Sequence, residues 1–344
     1  MQTTHIGMGI LLGLVSGLLL GSFALPMKKL RAWNWENTWV MYSFWATIVL
    51  PLLLALFTIP DLANVYTGVS PAVVVLVFLF GAGWGVANVG YGMGLKMVGL
   101  AIGTAIVLGL NNAIGAILPI VLYNPSQLVE PAGITISLAV LIMISGIVVC
   151  TIAGMKREKV LNPHKDKTGN TRSEFTKGLI ICLVAGCFGA MFNFALINGK
   201  PMETIAINMG ATPLNAANPT WVIALAGGFL VTLIYCIYLF RKNRSFTQFR
   251  IGGSGIFYLL TAVMGIMWFG GVAIYGMAVS KLGLLGASIG WPIIQSMAVG
   301  SGNFWGIITG EWKESGKTPL RYMLSGIGLL FIGIVLIGLS ATLS

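Results

Sequence analysis

The sequence predicts an all-α integral membrane protein, with ten transmembrane helices arranged as two inverted five-helix repeats. Three observations carry that prediction. Hydrophobic residues make up 57% of the 344 positions and charged residues only 8%, against about 25% charged in an average soluble domain. Apolar runs of roughly 20 residues, each long enough to cross a hydrocarbon core of about 30 Å, recur along the whole chain. Two of these runs, the third and the eighth, share a motif at equivalent places in the two halves.

The runs lie near residues 7–26, 38–60, 71–95, 100–123, 131–154, 177–198, 219–240, 255–279, 284–310 and 321–342. Lipid offers no partner to backbone N–H and C=O groups, so a spanning segment is a helix or part of a closed barrel. Continuous apolar runs without period-two alternation exclude the barrel. The first run reads as a retained helix: no basic segment leads it, and Lys28, Lys29 and Arg31 follow it. Its Gly9, Gly13, Gly17 and Gly21 recur every fourth residue. That spacing lets helix backbones approach closely in lipid, as static packing or as a sliding surface.

The most charged connection separates two sets of five runs. Residues 1–155 form the first repeat, 156–176 a cytoplasmic linker and 177–344 the second repeat. The third run reads WGVANVGYGMGLKMVGL and the eighth WFGGVAIYGMAVSKLGL. Trp84 matches Trp268, Tyr91 matches Tyr275, and Gly-Met follows in both. Because five is odd, the second half enters the membrane from the opposite face. Inverted repeats of this kind characterise secondary transporters, whose substrate site lies at the midplane between the repeats.

A net charge of +11 could suggest nucleic acid, but its placement points elsewhere. With the loops numbered alternately, 18 of the 20 Lys and Arg fall on one side; only Lys200 and Lys281 fall on the other. Basic loops stay in the cytoplasm. Both termini are therefore expected on the periplasmic side of a bacterial inner membrane. The tryptophans near helix ends, Trp33, Trp35, Trp39, Trp221 and Trp312, read most simply as an interfacial belt. The four cysteines show no CxxC spacing and both histidines lie outside the spans. No metal or cofactor is expected, no catalytic constellation of an enzyme is found, and no obligate protein partner is implied.

Polar groups inside apolar helices are expensive unless they are paired or functional. The candidate substrate-binding set is Trp84, Asn88, Tyr91, Asn111, Asn112, Asn193, Trp268, Tyr275, Trp291 and Gln295. Trp84, Asn88 and Tyr91 recur at i, i+4 and i+7 on one helix face. Amides supply both donors and acceptors, and aromatic rings supply flat apolar surfaces. The set suits a neutral polyol such as a sugar better than a cation or nucleotide. Each amide can equally serve as glue between helices.

PMKKLRAWNWENTW (26–39), FLFGAGWGVANVGYGMGLKMVGLAIGTAI (78–106), KPM (200–202) and GEWK (310–313) resemble the L-rhamnose–proton symporter family of the drug/metabolite transporter superfamily. The resemblance covers most of the chain. It implies the ten-helix inverted-repeat fold and uptake of a deoxy sugar driven by a proton gradient. LGASIGWPIIQSM (285–297) departs from the enterobacterial rhamnose carriers towards the glucose/ribose porters of the superfamily. The alternative reading is thus an exporter or facilitator of another metabolite or sugar on the same fold. Candidates for carrying the proton are Glu36, Asp61, Glu203 and Glu311, all near expected helix ends. Coupling to sodium through amides and carbonyls, and uncoupled transport, stay open.

Overall fold

The computed structural model describes residues 5–30, 32–98, 100–161, 172–251, 254–283, 286–310, 312–313 and 315–340. They form helices joined by short turns: α1 (Ile6–Ser22), α2 (Trp35–Thr58), the short α3 (Leu62–Gly68), α4 (Pro71–Val98), α5 (Leu100–Tyr123), α6 (Pro131–Leu161), α7 (Arg172–Gly189), α8 (Met191–Asn198), α9 (Lys200–Asn208), α10 (Asn218–Asn243), α11 (Ser254–Lys281), α12 (Gly286–Ile308) and α13 (Lys317–Ser340). Among the described residues, nine stretches are long and apolar enough to cross a membrane, the run through α7, α8 and α9 counting as one. Their outer faces carry exposed Leu11, Leu56, Phe57, Leu79, Leu141, Ile234 and Val335. Such a surface needs lipid around it, and the protein is a multi-pass membrane protein.

α12 is 23 residues long but stands apart from those nine. Ser288, Trp291, Pro292, Ser296 and Ser301 interrupt its apolar pattern, and all five are buried. The first part of α12 is enclosed by its neighbours and needs no apolar face towards lipid, whereas Phe304, Ile307 and Ile308 near its end are exposed.

Local breaks follow from prolines and glycines. Pro51 has no N–H and would clash with the turn before it; α2 accommodates it through a π-helical stretch at Trp45–Val49. Pro119 lies inside α5 and Pro292 inside α12. Segment 200–208, expected as loop, is helical: Pro201 sits in the first turn of α9, where its missing N–H costs nothing. Two other boundaries move as well. α6 runs on to Leu161 and α7 begins at Arg172, so both helices extend into the expected linker. Apolarity marks the lipid-buried part of a helix, and a helix does not have to stop where lipid does.

The helices pack through small residues. α1 lies against α11 and α12, α4 against α7 and α10, α5 against α6 and α7, and α6 against α13. A methyl group added at Gly21 would sit 2.3 Å from the Ala298 carbonyl oxygen, and one at Gly17 would sit 2.5 Å from Met297 Cβ. Ser16 Oγ donates to the Gly271 carbonyl at 2.7 Å, tying α1 to α11 as well. Gly13, Gly17 and Gly21 of the glycine ridge are thus the face through which α1 meets α12, while Gly9 meets Leu282 and Ala278 at the end of α11. On the α4–α10 pair, a methyl at Gly227 would lie 2.2 Å from the Phe78 carbonyl oxygen.

The belt reading of the tryptophans fails for Trp33, Trp221 and Trp312, which are buried at 5%, 0% and 7% exposure. An interfacial anchor must reach the headgroups. Trp33 instead packs on Phe249, Phe257 and Tyr258, and its Nε1 donates to the Gln248 carbonyl at 3.0 Å.

Gly21→Ala is expected to destabilise the protein by about 1–3 kcal/mol, because backbone atoms of α12 occupy the space a methyl needs. Gly270→Ala, whose methyl would meet only Leu19 at 3.8 Å, is expected to be neutral or slightly stabilising. Thermal unfolding of the two variants in detergent checks the contrast.

Candidate functional site: a central aromatic cavity

A cavity of about 450 Å³ lies where α2, α4, α5, α11 and α12 converge. It falls within the range of roughly 300–1,000 Å³ typical of small-molecule sites. Eight of the ten expected substrate-binding residues line it: Trp84, Asn88, Tyr91, Asn111, Trp268, Tyr275, Trp291 and Gln295. They come together because α4 presents 84, 88 and 91 on one face and α11 presents 268 and 275 on another, both inward.

Ten aromatic residues line the cavity. Trp84 and Trp268, matched in the two halves of the sequence, stack on each other with centroids 5.4 Å apart and planes 28° from parallel. Phe192 lies 5.1 Å from Trp84 and 5.9 Å from Trp291. The polar groups are amides and hydroxyls. Asn88 and Gln295 make no hydrogen bond with protein among the described residues, and Asn111 Oδ1 is buried without a partner. Tyr91 shares a 3.2 Å hydrogen bond with Thr104. Unpaired amide donors and acceptors facing a cavity are available to a ligand, and a buried one is costly until it is met.

Asn112 and Asn193 do not line the cavity. Asn112 is wholly buried with neither side-chain polar atom paired. Asn193 lies behind Tyr275, accepting a hydrogen bond from its hydroxyl and donating to the Gly115 carbonyl at 2.7 Å.

The acidic residues are elsewhere. Asp61 caps α3, accepting from the Asn64 amide at 3.1 Å. Glu203 pairs with Lys200 at 2.7 Å. Glu311 lies outside the described residues. Glu36 is buried at 3% exposure in the first turn of α2. Its Oε1 accepts from Ser245 Oγ, from Asn243 Nδ2 at 2.9 Å and from Asn34 Nδ2 at 3.4 Å. Around this carboxylate, Asn34 and Gln248 exchange two further hydrogen bonds of 2.6 and 3.0 Å. The start of α2 is therefore clamped onto residues 243–248.

The L-rhamnose-proton symport protein family has a model that matches residues 2–343. The chain belongs to this family. It is 30% identical to the L-rhamnose-proton symporter of Mannheimia succiniciproducens, over 97% of this chain and 99% of that protein. It is 29% identical to the L-rhamnose-proton symporter of Citrobacter koseri and 28% identical to that of Escherichia coli, each over 98% of this chain and 99% of the other. The family is one of symporters, not enzymes.

In this member of the rhamnose–proton symport family, the wall also includes Trp35, Trp39, Tyr42, Ser43, Thr47 and Thr232. Sequence reasoning missed them. Trp35 and Trp39 stack at 5.0 Å, and Trp39 leads to Tyr42 at 5.2 Å. Their i, i+4, i+7 spacing matches that of Trp84, Asn88 and Tyr91 and could have identified them. The adjacent basic residues made a surface anchor the simpler reading.

In a background with Cys187, the only exposed cysteine among the described residues, replaced by serine, Asn88→Cys and Gln295→Cys are expected to react with a small polar thiol reagent. Asn112→Cys is expected to stay unreactive, although the sequence groups all three. Mass spectrometry of the labelled protein reads the difference.

Proposed function

We propose that this protein imports L-rhamnose by proton symport across the bacterial inner membrane, with alternating access around the central cavity. The observation that carries the sugar reading is the pairing of stacked indoles with unspent neutral amides. Flat π faces pack against the C–H face of a sugar ring, and Asn88, Asn111 and Gln295 offer donors and acceptors to its hydroxyls. The relatives' names supply the particular sugar and the coupling ion.

In this reading α12 is a tenth span, and the chain is two inverted repeats, 1–155 and 177–344, joined by a linker at 156–176. Mirrored packing supports it. α4 lies on α7 as α11 lies on α1, and α5 lies on α7 as α12 lies on α1. Both termini then face the periplasm. The cavity wall runs through Phe23, Trp35, Leu95 and Ala298 towards the helix ends that adjoin the basic loops. The conformation is therefore inward-facing.

Of the coupling candidates among the described residues, Glu36 lies closest in sequence to the cavity wall, although the three donors on its Oε1 favour the ionised form. It is buried, its partners are neutral, and Trp35 and Trp39 on either side of it reach the cavity. One observation favours uncoupled transport as the second reading: no Asp, Glu or His is among the described residues of the cavity wall.

Proteoliposomes are expected to accumulate labelled L-rhamnose when an inward proton gradient is imposed. Stimulation by sodium alone, or equilibration without accumulation, refutes proton coupling. Asn88→Ala and Gln295→Ala are each expected to raise the half-saturation concentration about 3- to 10-fold, the loss of one hydrogen bond. Glu36→Gln is expected to abolish gradient-driven accumulation while keeping rhamnose exchange; accumulation at the native level would place the proton on another group.

A further inference from the structure

The end of the cavity away from the basic loops is closed by a hydrogen-bonded knot that starts from a proline. Pro119 lacks an N–H, so the carbonyl four residues earlier in α5, that of Gly115, loses its helical partner. Asn193 Nδ2 replaces that partner at 2.7 Å and also reaches the Ala287 carbonyl at 3.4 Å. Asn193 Oδ1 accepts from the Tyr275 hydroxyl. Beside it Trp291 Nε1 donates to the Asn111 carbonyl at 3.1 Å. The indole lies so close to α5 that a methyl at Gly115 would be 2.3 Å from its nitrogen.

These bonds cross between two packed groups of helices. α5 packs with α7, which leads directly into α8; α11 and α12 both pack on α1. Tyr275–Asn193, Asn193–Ala287 and Trp291–Asn111 each join the first group to the second. At the other end Tyr91, the residue matched to Tyr275, bonds to Thr104 of α5, its neighbour within the first group. At the cavity itself one end is bonded across the groups and the other within one; the cross-bonds at the second end lie away from the cavity, between Glu36 and Asn34 at the start of α2 and residues 243–248.

Resting on the alternating-access reading above, we propose that Asn193 is a positioning residue of the outer gate and not a sugar ligand. It holds α5, α11 and α12 together on the periplasmic side, and its bond to Tyr275 must break before the cavity opens outward. Tyr275 is the one member of that bond whose ring also lines the cavity, so it places the gate in contact with the substrate.

The test uses Ala298→Cys, a small replacement in the cavity wall, with Cys187→Ser, in right-side-out and inside-out vesicles. A membrane-impermeant maleimide is expected to label the parent faster from the inner face. Adding Tyr275→Phe, which removes only the hydroxyl, is expected to raise the labelling rate from the outer face at least fivefold. Asn193→Ala is expected to do the same; if it does not fold, Tyr275→Phe decides alone. An unchanged outer-face rate in Tyr275→Phe overturns the proposal. So does an Asn193→Ala variant that raises the half-saturation concentration for rhamnose while leaving labelling unchanged, since that is the behaviour of a ligand. Labelling needs no sugar, so a protein that fails to carry rhamnose still reports on the gate. Equal labelling of the parent from both faces refutes the carrier reading itself, and this proposal with it.

Discussion

Within lipid a backbone carbonyl that loses its helical partner finds no water to replace it, and this protein places prolines inside three of its long helices. Each break has to be repaired from within. In α2 the repair is local: a π-helical stretch ahead of Pro51 shifts the hydrogen-bond register so that the ring fits. In α5 the repair is distant: the Gly115 carbonyl is met by Asn193 from α8. That single requirement brings a side-chain amide from the second half of the chain into the first. It also fixes where Tyr275 bonds and therefore how one end of the cavity is closed.

Glycine complements proline in the same design. Where proline forces a carbonyl to look outward for a partner, glycine lets a neighbouring helix come near enough to provide one. Gly115 admits the Trp291 indole, which then reaches the Asn111 carbonyl. Gly17 and Gly21 bring α1 onto α12 at backbone distance, where Ser301 and Trp305 hydrogen-bond across to the Gly17 carbonyl and Ser22 hydroxyl at 3.4 and 2.6 Å. Trp291, Ser301 and Trp305 of α12 are thus held by α5 and α1 rather than offered to lipid.

How much of this was legible in the sequence depends on whether the signal was local. Apolar runs and glycine spacing are local, and they located the nine long apolar stretches and the close face of α1. Helical periodicity is local too, which is why Trp84, Asn88 and Tyr91 could be put on one face that turns out to line the cavity. Burial is not local. Trp221 and Trp33 look like surface anchors until their surroundings are known, and Asn193 is indistinguishable in sequence from Asn88, though one lies behind the wall and the other in it. The clamp at Glu36 was invisible for the same reason: its partners Asn243 and Ser245 lie more than two hundred residues away.

The contact between Trp84 and Trp268 has a geometric consequence. Two equivalent points related by a twofold rotation can touch only where they approach its axis. Under the inverted-repeat proposal, the stacked indoles therefore mark the pseudo-symmetry axis of the molecule. A twofold rotation that exchanges the two membrane faces leaves points on its axis in place. A sugar resting on these rings would sit at the still centre of the transport cycle, while the openings on either side exchange places around it.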